Sequence, residues 1–232
     1  EFKNQLFELA LEDKDYDFAI DGFLSNRTLV NNSTRLHLEA TALLAIAYLR
    51  KNEIEKAKPF IKEVLENKKV IKTEATREKF NKEIIARFDE ECALASLNSN
   101  RIIEINIDEL HQEVVKVLET STNEQLFITI GKTVPKFTKD LLYEVDKFSK
   151  NILPYKEQKM LPASEEIIKD EPAGKTVFAS FKRVVYNSLC DPKSEVYKAW
   201  YSNAVGSVVD KKYITAAVGL TLAGHGIGVT AL

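Results

Sequence analysis

Glycine and proline are scarce in this chain, eight and six in 232 residues, and apolar residues recur every three or four positions along most of it. That spacing is the period of a helix buried along one stripe, so the chain is expected to be all-α. A composition of 44% hydrophobic and 29% charged residues supplies enough apolar surface for one large or two small cores and excludes wholesale disorder. Phe80, Ile84, Phe88, Cys92 and Ala95 mark one stripe of a long helix over 74–97. Asn106 with Glu109 has the spacing of a capping box and opens a helix with Ile107, Leu110, Val114, Val117 and Leu118 inward. After a break at 121–123, Phe137, Leu141, Val145, Phe148 and Ile152 form another stripe, with Pro135 in its first turn and Pro154 as its stop. Leu126 to Ile130 is the best strand candidate, although a buried helical turn would read the same.

From Pro154 to Gly174 the chain carries Pro154, Pro162 and Pro172 among charged residues, the composition of a linker or irregular loop. Four regions are therefore expected: helical hairpins plus a long helix over 1–98, a helical region packing on them over 99–153, a linker over 154–176, and a C-terminal helical region over 177–232. In the last, Val177, Phe181, Val184, Val185 and Leu189 form one face, and Asp191-Pro192 starts a helix with Val196 and Trp200 inward.

Residues 38–69 form a two-helix pattern with small side chains where helices must touch. Leu44 and Ala45 lead the first helix, Tyr48 follows, Asn52-Glu53-Ile54 makes the turn, and Ala57 and Ile61 lie on the second. Upstream, Leu6, Phe7 and Ala10 precede Lys14-Asp15-Tyr16-Asp17-Phe18-Ala19-Ile20, and Ala19 and Phe23 stand 38 positions before Ala57 and Ile61. This pattern resembles the tetratricopeptide repeat, whose usual period is about 34 residues; a longer loop over 27–34 takes up the difference. The match covers residues 1–69 and has Phe7 where the family has a small residue. Alanine at 19, 45 and 57 lets paired helices approach to about 8 Å.

The resemblance implies a stack of antiparallel helical hairpins whose concave surface is lined by the first helix of each pair and binds a protein or peptide. The lining residues are then Asn4, Gln5, Glu8 and Glu12, followed by Glu39, Ala42, Leu43, Ile46 and Arg50. Their mixed, partly apolar character does not suit a clamp for a terminal carboxylate. The competing reading buries the stripe under later helices, such as one beginning near Ile107, because two hairpins seldom close their own core.

No catalytic constellation emerges. Gly131-Lys132-Thr133 and Gly174-Lys175-Thr176 end like phosphate-binding loops, but Leu126 and Lys169 occupy the position where such a loop needs its first glycine. Gly224-His225-Gly226-Ile227-Gly228 fails the dinucleotide spacing. His37, His111 and His225 are scattered, so neither a metal nor any other cofactor is expected. Cys92 and Cys190 have no neighbouring thiol, which fits a reducing, cytoplasmic location; Cys190 reads as a small buried hydrophobe at a turn. A net charge of −2 gives no global field for nucleic acid.

The run from Tyr213 to Leu232 has no side chain charged at neutral pH and is long enough to span a bilayer core. Gly224 and Gly228 have the small-residue spacing of packed membrane helices, with Lys211 and Lys212 as a cationic edge. Four glycines and His225 argue instead for a buried or broken helix, and the abrupt stop reads as a shortened chain. The expected function is thus non-enzymatic protein binding by an adaptor or regulatory scaffold. The alternatives are a membrane-associated effector that inserts or oligomerises through 213–232, and an enzyme whose site the sequence does not reveal.

Overall fold

A computed structural model describes residues 2–67, 70–97, 107–150 and 169–193, together with Tyr197 and Val218. Among the described residues the regular elements are α-helices, apart from a 3-10 turn at Val70, and none is a strand. The helices are α1 (Phe2–Glu12), α2 (Tyr16–Leu29), α3 (Arg35–Arg50), α4 (Ile54–Glu66), α5 (Glu74–Leu97), α6 (Ile107–Thr120), α7 (Asn123–Thr133), α8 (Lys136–Lys150) and α9 (Asp170–Cys190). They fall into two compact units, Glu1–Ser96 with Phe137–Ile168, and Leu97–Lys136 with Lys169–Leu232. Each unit is therefore built from two separate stretches of chain, a division that the order of composition along the sequence does not suggest.

The first unit holds α1 to α5 and α8 around one core. Phe23 and Phe88 are fully buried at its centre with Leu38, Leu44, Leu49, Ile61, Leu65, Leu142 and Val145. Ala19, Ala45 and Ala57 have no exposed surface, as residues at a close helix approach must. On α8 the buried stripe is Thr138, Leu141, Leu142 and Val145, which turns Phe137 outward to 49% exposure; burying Leu142 rotates the helix away from the face that Phe137 would have shared.

The turns of the two hairpins repeat bond for bond at an offset of 38 residues. Lys14 and Asn52 are the two non-glycine residues with positive φ among those described, at 66° and 64°. Asp15 N–H donates to Ala10 O at 2.9 Å and Glu53 N–H to Tyr48 O at 2.8 Å, while Lys14 N–H donates to Leu11 O and Asn52 N–H to Leu49 O. This pair of bonds around a left-handed residue is the Schellman ending, which satisfies the last carbonyls of one helix and turns the chain into the next.

Side-chain bulk is exchanged between the two copies. In the first, Phe7 lies against Gly22, where any Cβ would strike the ring carbons Cγ, Cδ1 and Cε1. At the same offset the second copy has Ala45 and Phe60, with the Phe60 ring stacked on Tyr48 at 5.7 Å. Large against small therefore becomes small against large, so Phe7 is compatible with a close hairpin.

In the second unit α7 and α9 cross through two glycines. A Cβ on Gly131 would strike the backbone of Asp170, and one on Gly174 would strike the Phe127 carbonyl and reach 2.9 Å from the Gly131 amide nitrogen. The two Gly-Lys-Thr tripeptides are thus packing sites, with both glycines buried and Lys132 and Lys175 exposed. Residues 126–130, the strand candidate, lie inside α7, which begins at a capping box formed by Thr122 and Gln125. The expected linker does not extend to 176, because α9 starts at Asp170 and carries Pro172 in its first turn, where a missing N–H breaks no helical bond. Ala173, Val177, Ser180, Phe181 and Val184 form its buried face.

Val117 on α6 is 43% exposed, against the inward placement its spacing suggests, and Cys190 is exposed whereas Cys92 is buried. Asn106, residues 151–168 with Ile152, Pro154 and Pro162, Val196, Trp200 and nearly all of 213–232 with Gly224, His225 and Gly228 lie outside the described residues.

Candidate functional site

The residues expected to line a concave groove have unequal surroundings. On α3, Ala42 and Ile46 are buried and Leu43 is half-buried against the core. Glu39 is half-buried and paired with Arg35 at 2.7 Å. On α1, Gln5 and Glu8 are exposed, but Asn4 is buried, accepting from Asn26 Nδ2 at 2.8 Å and donating to the Leu36 carbonyl at 3.4 Å. Arg50 reaches α5, where its Nη2 donates to Glu91 Oε1 at 2.9 Å and its Nε spans both carboxylate oxygens at 3.2 and 3.3 Å. The α3 stripe is thus covered in part by α5, whose Phe88 and Cys92 enter the same core.

Glu91 is 3% exposed and also meets Arg87 at 3.0 Å. Burial works against the charge on Arg50, and the facing Glu91 more than restores it, so the guanidinium ends above its ordinary range. Burial likewise raises Tyr16, which Arg50 opposes and Glu91 reinforces. A buried carboxylate gripped by two guanidinium groups fixes how α5 lies on α3, because removing either sign leaves the other desolvated.

A second polar cluster joins the hairpins. Arg27 of α2 donates to both oxygens of Glu63 on α4, at 2.8 and 2.6 Å, and its guanidinium carbon lies 4.9 Å from the Phe60 ring centre. His37 Nε2 sits 3.1 Å from Glu63 Oε1. Thr34 caps the α3 N-terminus at the His37 amide. Lys51 meets Asp17 at 2.6 Å. These pairs set the register of one hairpin against the other.

The exposed apolar side chains are concentrated elsewhere. Of the nine large apolar residues exposed among those described, five lie on α1 and α2: Leu6, Leu9, Phe18, Leu24 and Leu29. Leu6 and Leu9 are one turn apart on α1, on the flank that buried Asn4 and Leu11 leave free. Phe18 and Leu29 recur at the eleven-residue helical spacing on α2, and the Phe18 ring meets Phe7 edge-on at 5.5 Å. The counterparts of Leu6 and Leu9 at the 38-residue offset are Leu44 and Ala47, both with no exposed surface, whereas Leu6 is 52% and Leu9 59% exposed. The flank of the first helix that is enclosed in the second hairpin is therefore bare in the first. The sequence carried this signal in the matching positions of the two copies, but a search for concave lining residues passes over it.

Among the described residues, no group of three or more His, Cys, Asp and Glu side chains is arranged to hold a metal. No described helix is long and apolar enough to cross a membrane. Neither a family model, nor a curated protein, nor a solved structure matches the chain.

Proposed function

We propose that the chain is a non-enzymatic protein–protein interaction module, a pair of tetratricopeptide-like helical hairpins that docks a protein partner on the outer flank of its first hairpin. One observation carries this reading: Leu6 and Leu9 are about half exposed where their counterparts Leu44 and Ala47 are enclosed. Repeat architectures bury a continuous core by stacking each unit on its neighbours, and half-exposed leucines on this flank offer a stacking surface of the same kind. Covering the exposed halves of Leu6 and Leu9 contributes about 1 kcal/mol each, useful binding energy at little structural cost. The concave lining contributes less, since Ala42 and Ile46 are buried and Arg50 is engaged by Glu91. Gln5 and Glu8 remain available at its margin.

A photoreactive benzophenone side chain at Phe18, in cells expressing the whole chain, tests the proposal. A discrete adduct is expected, and the joint change of Leu6→Ser and Leu9→Ser should abolish it while leaving thermal unfolding nearly unchanged. Failure to form an adduct, or an adduct indifferent to the two serines, would overturn the reading.

A further inference from the structure

Resting on that reading, we infer that the partner on the α1–α2 flank is a second copy of the chain, joined to the first across a two-fold axis. The chain itself shows what closes such a flank. One of the neighbours enclosing α3 is α2, a helix of another hairpin of the same kind, so the natural complement of a bare hairpin flank is a further hairpin. The described residues leave each copy one such surface. The α3–α4 hairpin is already covered, at α3 by α5 through Arg50 and Glu91 and at α4 by α8 through Lys58 and Glu144, 3.3 Å apart. The inner side of the α1–α2 hairpin is taken by α3. Each copy therefore offers the other its own outer flank. A contact of one surface with itself is isologous and closes at two chains.

The surface has the size that a modest dimer needs. Leu6, Leu9, Phe18 and Leu29 are 52%, 59%, 49% and 65% exposed, which at roughly 200 Å² for a large side chain leaves about 400 Å² of apolar surface. Phe18 belongs to the same flank, since its ring meets Phe7 of α1. Interfaces between independently folded proteins are about 57% apolar, so the contact should cover about 700 Å² per chain, close to the roughly 800 Å² of a standard-size interface. The charges suit an antiparallel pairing. Gln5, Ser25 and Thr28, exposed beside these residues on α1 and α2, are neutral, and the Lys3 end of one α1 then lies against the Glu8 and Glu12 end of the other.

Sedimentation velocity of the purified whole chain, from nanomolar to about 100 micromolar, tests this. A reversible monomer–dimer equilibrium with a dissociation constant in the micromolar range is expected, so dilute chain presents the flank bare. Leu9→Ser acts twice in a symmetric contact and should raise that constant about thirtyfold. Tyr186→Ser, at an exposed aromatic position on α9, should leave it unchanged. Benzophenone at Phe18 of the purified chain should then give an adduct of twice the chain's mass, cross-linked to α1 or α2 of the other copy. Circular dichroism confirms that each variant keeps its helices. A dimer that ignores Leu9→Ser, or that Tyr186→Ser weakens as much, overturns the two-fold contact, and so does growth beyond two chains. If the chain stays a monomer to about 100 micromolar while the cellular adduct forms with another protein and is lost with Leu6→Ser and Leu9→Ser, the docking flank stands and the second copy is refuted. A monomer with no serine-sensitive adduct refutes both.

Discussion

Replacing Gly22 by alanine adds one methyl group where three carbons of the Phe7 ring already stand. At an ordinary interior helix position this change stabilises by about 1 kcal/mol, because glycine is the poorer helix former. Here the ring has little freedom to step aside. It is flanked edge-on by Phe18 at 5.5 Å and by Phe23 at 5.8 Å, and Phe23 is fully buried. Overpacking of this kind costs about 1–3 kcal/mol, so the net effect of Gly22→Ala is a destabilisation of about 1 kcal/mol. With Phe7→Ala already present the overlap disappears, and the same substitution should stabilise by about 1 kcal/mol. The two changes should therefore couple by about 2 kcal/mol in a double-mutant cycle. Hydrogen exchange resolved on α1 and α2 peptides reads the local opening free energy of this hairpin without requiring both units to unfold together. A stabilising Gly22→Ala in the otherwise unchanged chain, or a cycle with no coupling, would refute the proposed exchange of bulk between the copies.

Two further outcomes follow from the buried charges. Glu91→Ala leaves the Arg50 guanidinium facing a core without its carboxylate and should destabilise the first unit by about 2–3 kcal/mol in urea unfolding, a smaller loss than for a fully buried pair because Arg50 is 24% exposed; a loss under about half a kcal/mol would contradict the proposed lock between α3 and α5. Burial first, and then the Asp146 and Glu90 charges, together push Asp89 up to about 7. Its folded form keeps a proton that the unfolded chain releases near pH 4, so stability should fall as pH rises from about 4 to 7 and then level off. The full linkage is about 4 kcal/mol, and about 2 kcal/mol after allowing for the water its side chain still meets; Asp89→Asn should flatten that slope, and an unchanged profile in unfolding measurements across this range would count against it.

Much of the first unit can be read directly from sequence because its signals are local. The span of α5, the turn at Asn52-Glu53 and the burial of Ala19, Ala45 and Ala57 follow from periodicity and side-chain size. Local signals fail where tertiary contact decides. Leu126 to Ile130 has β-branched residues but lies on a helix, since Thr122 and Gln125 cap it and Gly131 allows α9 to cross. Pro172 reads as loop punctuation and is in fact a first-turn proline. Partial coverage of the α3 stripe depends on Glu91 lying opposite Arg50, 41 positions away, and no spacing rule connects the two. The bare flank is an intermediate case: Leu6 and Leu9 are ordinary leucines until their counterparts Leu44 and Ala47 are set beside them.

Thiol labelling tests the unequal exposure of the two copies most directly. In a Cys190→Ser background, where the remaining Cys92 is buried, Leu9→Cys and Ala47→Cys place a thiol at matching positions of the two hairpins. The first should react with a maleimide at close to the rate of a free thiol, and the second should be protected at least about a hundredfold, since its reaction requires local opening. Equal rates would show that the two flanks are covered alike and that the first hairpin has no bare docking face.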